Sequence, residues 1–264
     1  MGKRSARDSA KQVHKRPAPR KRVVEARPWI WADVIWVTAA LLVASVLTIV
    51  TLGNQFTALM PEEGVVGVRV ALLTFFYLSL LAILAYLAHR RNLSFVDAYR
   101  LKPSSSEVPA DRDYFPWWKS LLVMLGLFLV LRLFAILYTY VTGEFGWVTP
   151  PAAGLTDLFG ATVFGLIAAT VTIVFLAPFI EELVFRVIIF DTFARSMPFA
   201  LALVLQGLVF SLYHFSLWAA IPNFLVAIAC VYLIMNCRTS WPAILLHVLY
   251  NAAVVAAAFY LAMI

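Results

Sequence analysis

Apolar residues fill seven long stretches of the chain, at about residues 29–52, 65–88, 119–142, 158–177, 199–215, 218–237 and 241–264, with polar residues gathered between them. Several run about 20 residues with almost no charge, the length a helix needs to cross roughly 30 Å of hydrocarbon. A shorter, charge-bearing stretch at 178–193 lies between the fourth and the fifth. This pattern predicts an all-α fold, a polytopic transmembrane helical bundle of seven or eight helices. The parity turns on whether 178–193 crosses the bilayer, kinks or lies in the interface. Trp29, Trp31, Trp117, Trp118, Trp147, Trp218 and Trp241 all fall at segment ends, where an interfacial aromatic belt belongs.

Composition excludes a soluble enzyme: 63% of the 264 residues are hydrophobic and 13% charged, against roughly 45–50% and about 25% in soluble domains. The net charge of +7 would suggest nucleic-acid binding if it were spread over the surface. It is not spread. Residues 1–28 hold ten Lys/Arg and two acids, a net +8, whereas the remaining 236 residues are net −1. That tail is too poor in apolar residues to fold and is expected to be a disordered, cytoplasmic topogenic segment. It is too basic for too long to be a typical cleaved signal peptide, and Met1-Gly2 lacks the Ser/Thr at position 6 of a myristoylation signal. The loop at 89–118 contains Arg90, Arg91, Arg100, Lys102 and Arg112, whereas 53–64 and 143–157 contain no Lys or Arg. The alternation puts the N-terminus and the second loop on the cytoplasmic side of a multi-pass integral membrane protein, in the plasma membrane if the chain is bacterial. Cys230 and Cys237 lie seven residues apart on one segment, about 10 Å along a helix. They read as small core residues and not as a disulfide.

An ionisable side chain at the bilayer centre costs about 2.5–3.5 kcal/mol on insertion scales, so each one inside an apolar stretch is a functional candidate. Four sites qualify. In Glu181-Glu182-Leu-Val-Phe-Arg186, Glu182 and Arg186 form an i, i+4 pair, which leaves Glu181 turned about 100° away and free for chemistry. Pro178, just upstream, removes a backbone donor and is expected to kink the helix. His214 ends Phe210-Ser-Leu-Tyr-His214, and His247 and Asn251 share one face of a further helix. Arg132, in the third stretch, has no obvious local partner. The turn at 195–198 lies about 15 residues from both Glu181 and His214, so an antiparallel hairpin would bring the two to one level. Such a set can hydrolyse: Glu181 as general base on water, His214 positioning that water, His247 and Asn251 donating to the developing oxyanion. Two His and a Glu could instead hold Zn²⁺, although the HExxH pattern is absent.

Glu181-Glu182-x-x-x-Arg186, Phe210-x-x-x-His214 and His247-x-x-x-Asn251 resemble, in order, the three signature motifs of the CPBP intramembrane proteases. That family includes the CAAX prenyl endopeptidases of the Rce1 type and the bacteriocin-processing and immunity (Abi) proteins. The resemblance covers roughly residues 158–255 and implies a CPBP-like catalytic core at 151–264, behind N-terminal transmembrane helices at 29–150. It implies Glu181, His214, His247 and Asn251 as catalytic residues, Glu182 and Arg186 in support, and no required metal or other cofactor. The implied partners are the lipid bilayer and a membrane-associated or prenylated protein or peptide, not nucleic acid. The residue after the motif arginine, frequently Gly in the family, is Val187 here. Two other functions fit the same residues: a non-catalytic binding or immunity protein of the same fold, and a proton-coupled carrier.

Overall fold

The computed structural model describes residues 29–52, 62–102, 114–147, 152–237 and 239–263. The basic tail at 1–28 and Arg112 lie outside the described residues. Among those described there are nine helices and no strand: α1 (Trp31–Leu52), α2 (Glu62–Arg90), α3 (Phe95–Ala98), α4 (Trp117–Glu144), α5 (Ala152–Phe159), α6 (Val163–Ser196), α7 (Phe199–Tyr213), α8 (Leu217–Asn236) and α9 (Trp241–Met263). Five are long and apolar enough to cross a bilayer, over Gly64–Arg90, Trp117–Glu144, Val163–Ser196, Leu217–Asn236 and Trp241–Met263. Trp31–Val43 and Phe199–Tyr213 are shorter apolar helices. Leu129, Val130, Leu133 and Ile136 of α4 are exposed, which suits a surface solvated by lipid. The chain is an integral membrane helical bundle.

Two boundaries differ from the sequence reading. The stretch expected to begin at 158 begins at Val163, because Gly160 takes φ +76° and ends α5, after which Thr162 accepts from the Gly165 N–H at 3.1 Å and caps α6. The stretches at 158–177 and 178–193 are not separate elements but parts of one 34-residue helix, α6. This helix is α-helical except for two wide π turns, Thr170–Leu176 and Glu182–Ile189. The first ends just before Pro178, where an ordinary α-helical ladder would require an N–H that proline lacks.

One end of the bundle is tied by buried polar contacts that start from the basic second loop. Arg91 donates to Asp33 at 2.6 Å and Arg100 to Asp191 at 2.8 Å, both acids being fully buried. Arg195 donates to the Trp29 carbonyl at 2.6 Å, and the Trp29 ring stacks on Tyr99 at 5.2 Å. Ser240 and Trp241, at the start of α9, donate to the carbonyls of Tyr99 and Leu101. Burial and the charge of Asp33 raise the Tyr99 phenol, keeping it a donor, and it bonds the Leu84 carbonyl at 2.9 Å. The loop arginines therefore do more than set topology, since they clamp α1, α6 and α9 to one another.

Candidate active site

Every residue of α6 from Ile180 to Phe193 is buried, so the charges in that span must find partners inside the protein. Glu182 has two. Its Oε2 lies 3.1 Å from Arg186 Nε, the expected i, i+4 pair, and its Oε1 accepts from His247 Nδ1 at 2.8 Å. The Arg186 guanidinium sits 4.1 Å from the centre of the Phe210 ring, a cation–π contact that compensates a cation with no exposure. The Cys230 thiol, on α8, donates to the Ala243 carbonyl at 3.7 Å. Glu182 and Arg186 thus join α6 to α7 and α9.

Glu181, 4% exposed, faces away from that pair. Its Oε2 is 3.8 Å from His247 Nε2, and the Tyr77 phenol of α2 lies beside its carboxylate on the same cavity wall. His247 therefore lies between both carboxylates. A carboxylate can only accept, so Glu182 holds the proton on Nδ1 and points Nε2 toward Glu181.

His214 follows the last residue of α7, and Phe215, at φ +49°, turns the chain sharply away from it. His214 Nδ1 donates to the Phe210 carbonyl at 2.8 Å, so Nε2 of the neutral ring carries a free lone pair. Asn251 donates through Nδ2 to the Ile173 carbonyl at 2.9 Å. The cause lies in α6. The Ala177 N–H reaches back to Thr172 O and Pro178 has no N–H, so the two helix donors next in line miss Ile173 O. One amide hydrogen of Asn251 is used there, and the second remains for another acceptor.

Tyr77, Arg132, Glu181, His214, Tyr250 and Asn251 line one cavity of about 670 Å³. Its walls also include Thr139, Tyr140, Gly154, Leu155 and Leu261, at the ends of α4, α5 and α9 remote from the arginine clamp. Arg132, without a local partner in its own helix, has its guanidinium carbon 5.5 Å from the Tyr250 ring centre. The structure thus brings the six sequence-selected residues together around His247 and the cavity. Tyr77 escaped the sequence reading. Its one signal was a hydroxyl in the middle of an apolar stretch, away from the interfacial belt. Among the described residues no group of three or more His, Cys, Asp and Glu side chains could hold a metal ion.

The fold and this cavity define a polytopic membrane protein with a buried carboxylate–histidine–amide site. Residues 162–253 match the family described as Type II CAAX prenyl endopeptidase Rce1-like, and the matched segment contains all seven residues named in the three motifs. The family is one of proteases acting on membrane-associated substrates. Neither a curated protein nor a solved structure matches the chain.

Proposed function

We propose that the protein is an intramembrane endopeptidase that hydrolyses a peptide bond of a membrane-associated or prenylated (CAAX-type) substrate with water activated by Glu181. Glu181 takes a proton from water while His214 Nε2 accepts the other O–H bond and holds the oxygen toward the scissile carbonyl. The attacking oxygen forms the new C–O bond, and the carbonyl π pair moves onto oxygen. The remaining amide hydrogen of Asn251 donates to that oxyanion, as does His247 Nε2–H when the ring carries both protons. Collapse breaks the C–N bond, and the proton held by Glu181 passes to the leaving amine. Glu182 and Arg186 orient His247. No step needs a metal. The observation that carries this reading is that Glu181, His214 and Asn251 line one cavity while Glu182 holds His247 beside it through a 2.8 Å hydrogen bond.

The test is hydrolysis of an internally quenched farnesylated peptide by the purified protein in detergent. Glu181→Gln and His214→Ala should each abolish cleavage while the protein still inserts into the membrane. Wild-type rates in both variants would refute the assignment.

The N-terminus is cytoplasmic in this reading. The clamped end carries Arg91, Arg100 and Arg195, whereas Glu144 and Asp157 lie at the other end, as the positive-inside bias requires. Since the cavity walls reach the end remote from the clamp, substrate approaches from the extracytoplasmic face. Cys230 and Cys237 are buried, so single cysteines can be labelled against them. Glu144→Cys should react with an impermeant maleimide on intact cells and Ser94→Cys only after lysis. The reverse pattern would invert the orientation.

A further inference from the structure

Arg132 is the one charged residue of the cavity that the proposed chemistry leaves unused. It is half-buried, on α4, fifteen residues from Trp117 and twelve from Glu144, hence about 20 Å of helix from either end. Its guanidinium makes no hydrogen bond or ion pair among the described residues and has only the Tyr250 ring near it. The cavity's carboxylate, Glu181, faces His247 at 3.8 Å. A guanidinium in such a place offers a planar fork of donors suited to a carboxylate. Arg132, Tyr250 and Asn251 line the same cavity, so this fork opens into the space that holds the proposed oxyanion donor.

We propose that Arg132 binds a carboxylate of the bound peptide, chiefly its C-terminal carboxylate. This rests on the peptidase reading of the same cavity. A lipid phosphate is the less suitable anion, because at mid-helix depth it would have to leave the head-group level by about half the bilayer thickness. A peptide drawn to Glu181 brings its own carboxylate to that depth.

The experiment measures binding apart from cleavage, on the full chain in detergent, through the fluorescence of the Trp218 indole that lines the cavity. The probes are the tripeptide Val-Ile-Met as free acid, its C-terminal amide, and the amide of Val-Ile-Glu. The wild type should bind the acid more tightly than the amide by roughly tenfold or more, the size of one charge-assisted hydrogen bond. Arg132→Gln should reduce that ratio to about twofold or less, leaving amide binding unchanged. If the Glu-bearing amide recovers the affinity, an acidic side chain is an alternative source of the same carboxylate. Equal binding of acid and amide by the wild type overturns the proposal. So does a ratio that survives Arg132→Gln, or a loss that falls equally on acid and amide, which would assign Arg132 to lipid or to structure. Glu181→Gln in the same assay should keep the acid preference. If the preference is present but the wild type hydrolyses no peptide, the anion site stands and the peptidase reading fails.

Discussion

Pro178 and Asn251 are linked through one carbonyl: the proline leaves Ile173 O without a helix donor, and the asparagine 78 residues from Ile173 supplies one at 2.9 Å. A residue proposed as an oxyanion donor is therefore also held in place by a defect in a neighbouring helix. The geometry fixes the amide plane, so its second hydrogen points the same way in every molecule.

Asn251→Leu should accordingly lower stability as well as activity, by about 1–3 kcal/mol for a carbonyl left unpaired in an apolar interior. In a Pro178→Ala background the backbone regains a donor at position 178, and the same substitution should cost about 1 kcal/mol less. Thermal unfolding in detergent of the two single variants and the double variant measures this coupling. Strict additivity would show that the two residues do not share the carbonyl.

Glu182 and Arg186 are a buried ion pair with neither side chain exposed. Glu182→Leu leaves an unpaired guanidinium and should destabilise by about 3–5 kcal/mol, whereas Glu182→Leu with Arg186→Met should recover most of that loss. Activity should not return with stability, because His247 Nδ1 still lacks its acceptor. A double variant with restored melting temperature and restored kcat would show that Glu182 has no orienting role.

Tyr77→Phe removes a hydroxyl from beside Glu181. A hydrogen bond to a charged group is worth about 1.5–3 kcal/mol, so kcat should fall about 10- to 100-fold with KM little changed. Unchanged kcat would mean that Glu181 is oriented without Tyr77.

At the start of α6, a Cβ on Gly165 would collide with the backbone carbonyls of Phe159 and Gly160. The turn that brings α5 under the cavity tolerates no side chain there. Gly165→Ala should cost about 1–3 kcal/mol or more, through strain in backbone that cannot move aside. The same substitution at Gly126, with nothing within 4 Å, should leave the melting temperature within a degree or two of wild type or raise it.

Much of this could be read from residue order because the bilayer imposes strict local rules. Apolar runs of a fixed length become helices, since backbone groups in hydrocarbon must pair within their own segment, and the runs at 65–88, 119–142 and 241–264 match α2, α4 and α9 within a few residues. The i, i+4 spacing of Glu182 and Arg186 is likewise local, and so was legible. The single length of α6 was not. Charges at 178–193 suggested an interruption, but inside the bundle Glu181 and Glu182 meet His247 of α9, Arg186 meets Phe210 of α7 and Asp191 meets Arg100 beyond α3, and the helix continues through them.

Sequence by itself determined the membrane class, the helical segments and the residues too costly to bury without a purpose, because desolvation depends on residue type and on neighbours a few positions away. Tertiary structure alone decided that His247 lies between two carboxylates, that Tyr77 lies beside Glu181 and that Asn251 repairs the gap left by Pro178. These contacts join residues 65 to 104 positions apart. Hydrogen bonds between side chains require positions set to within a few tenths of an ångström, and only the packing of α2, α6, α7 and α9 against one another supplies them.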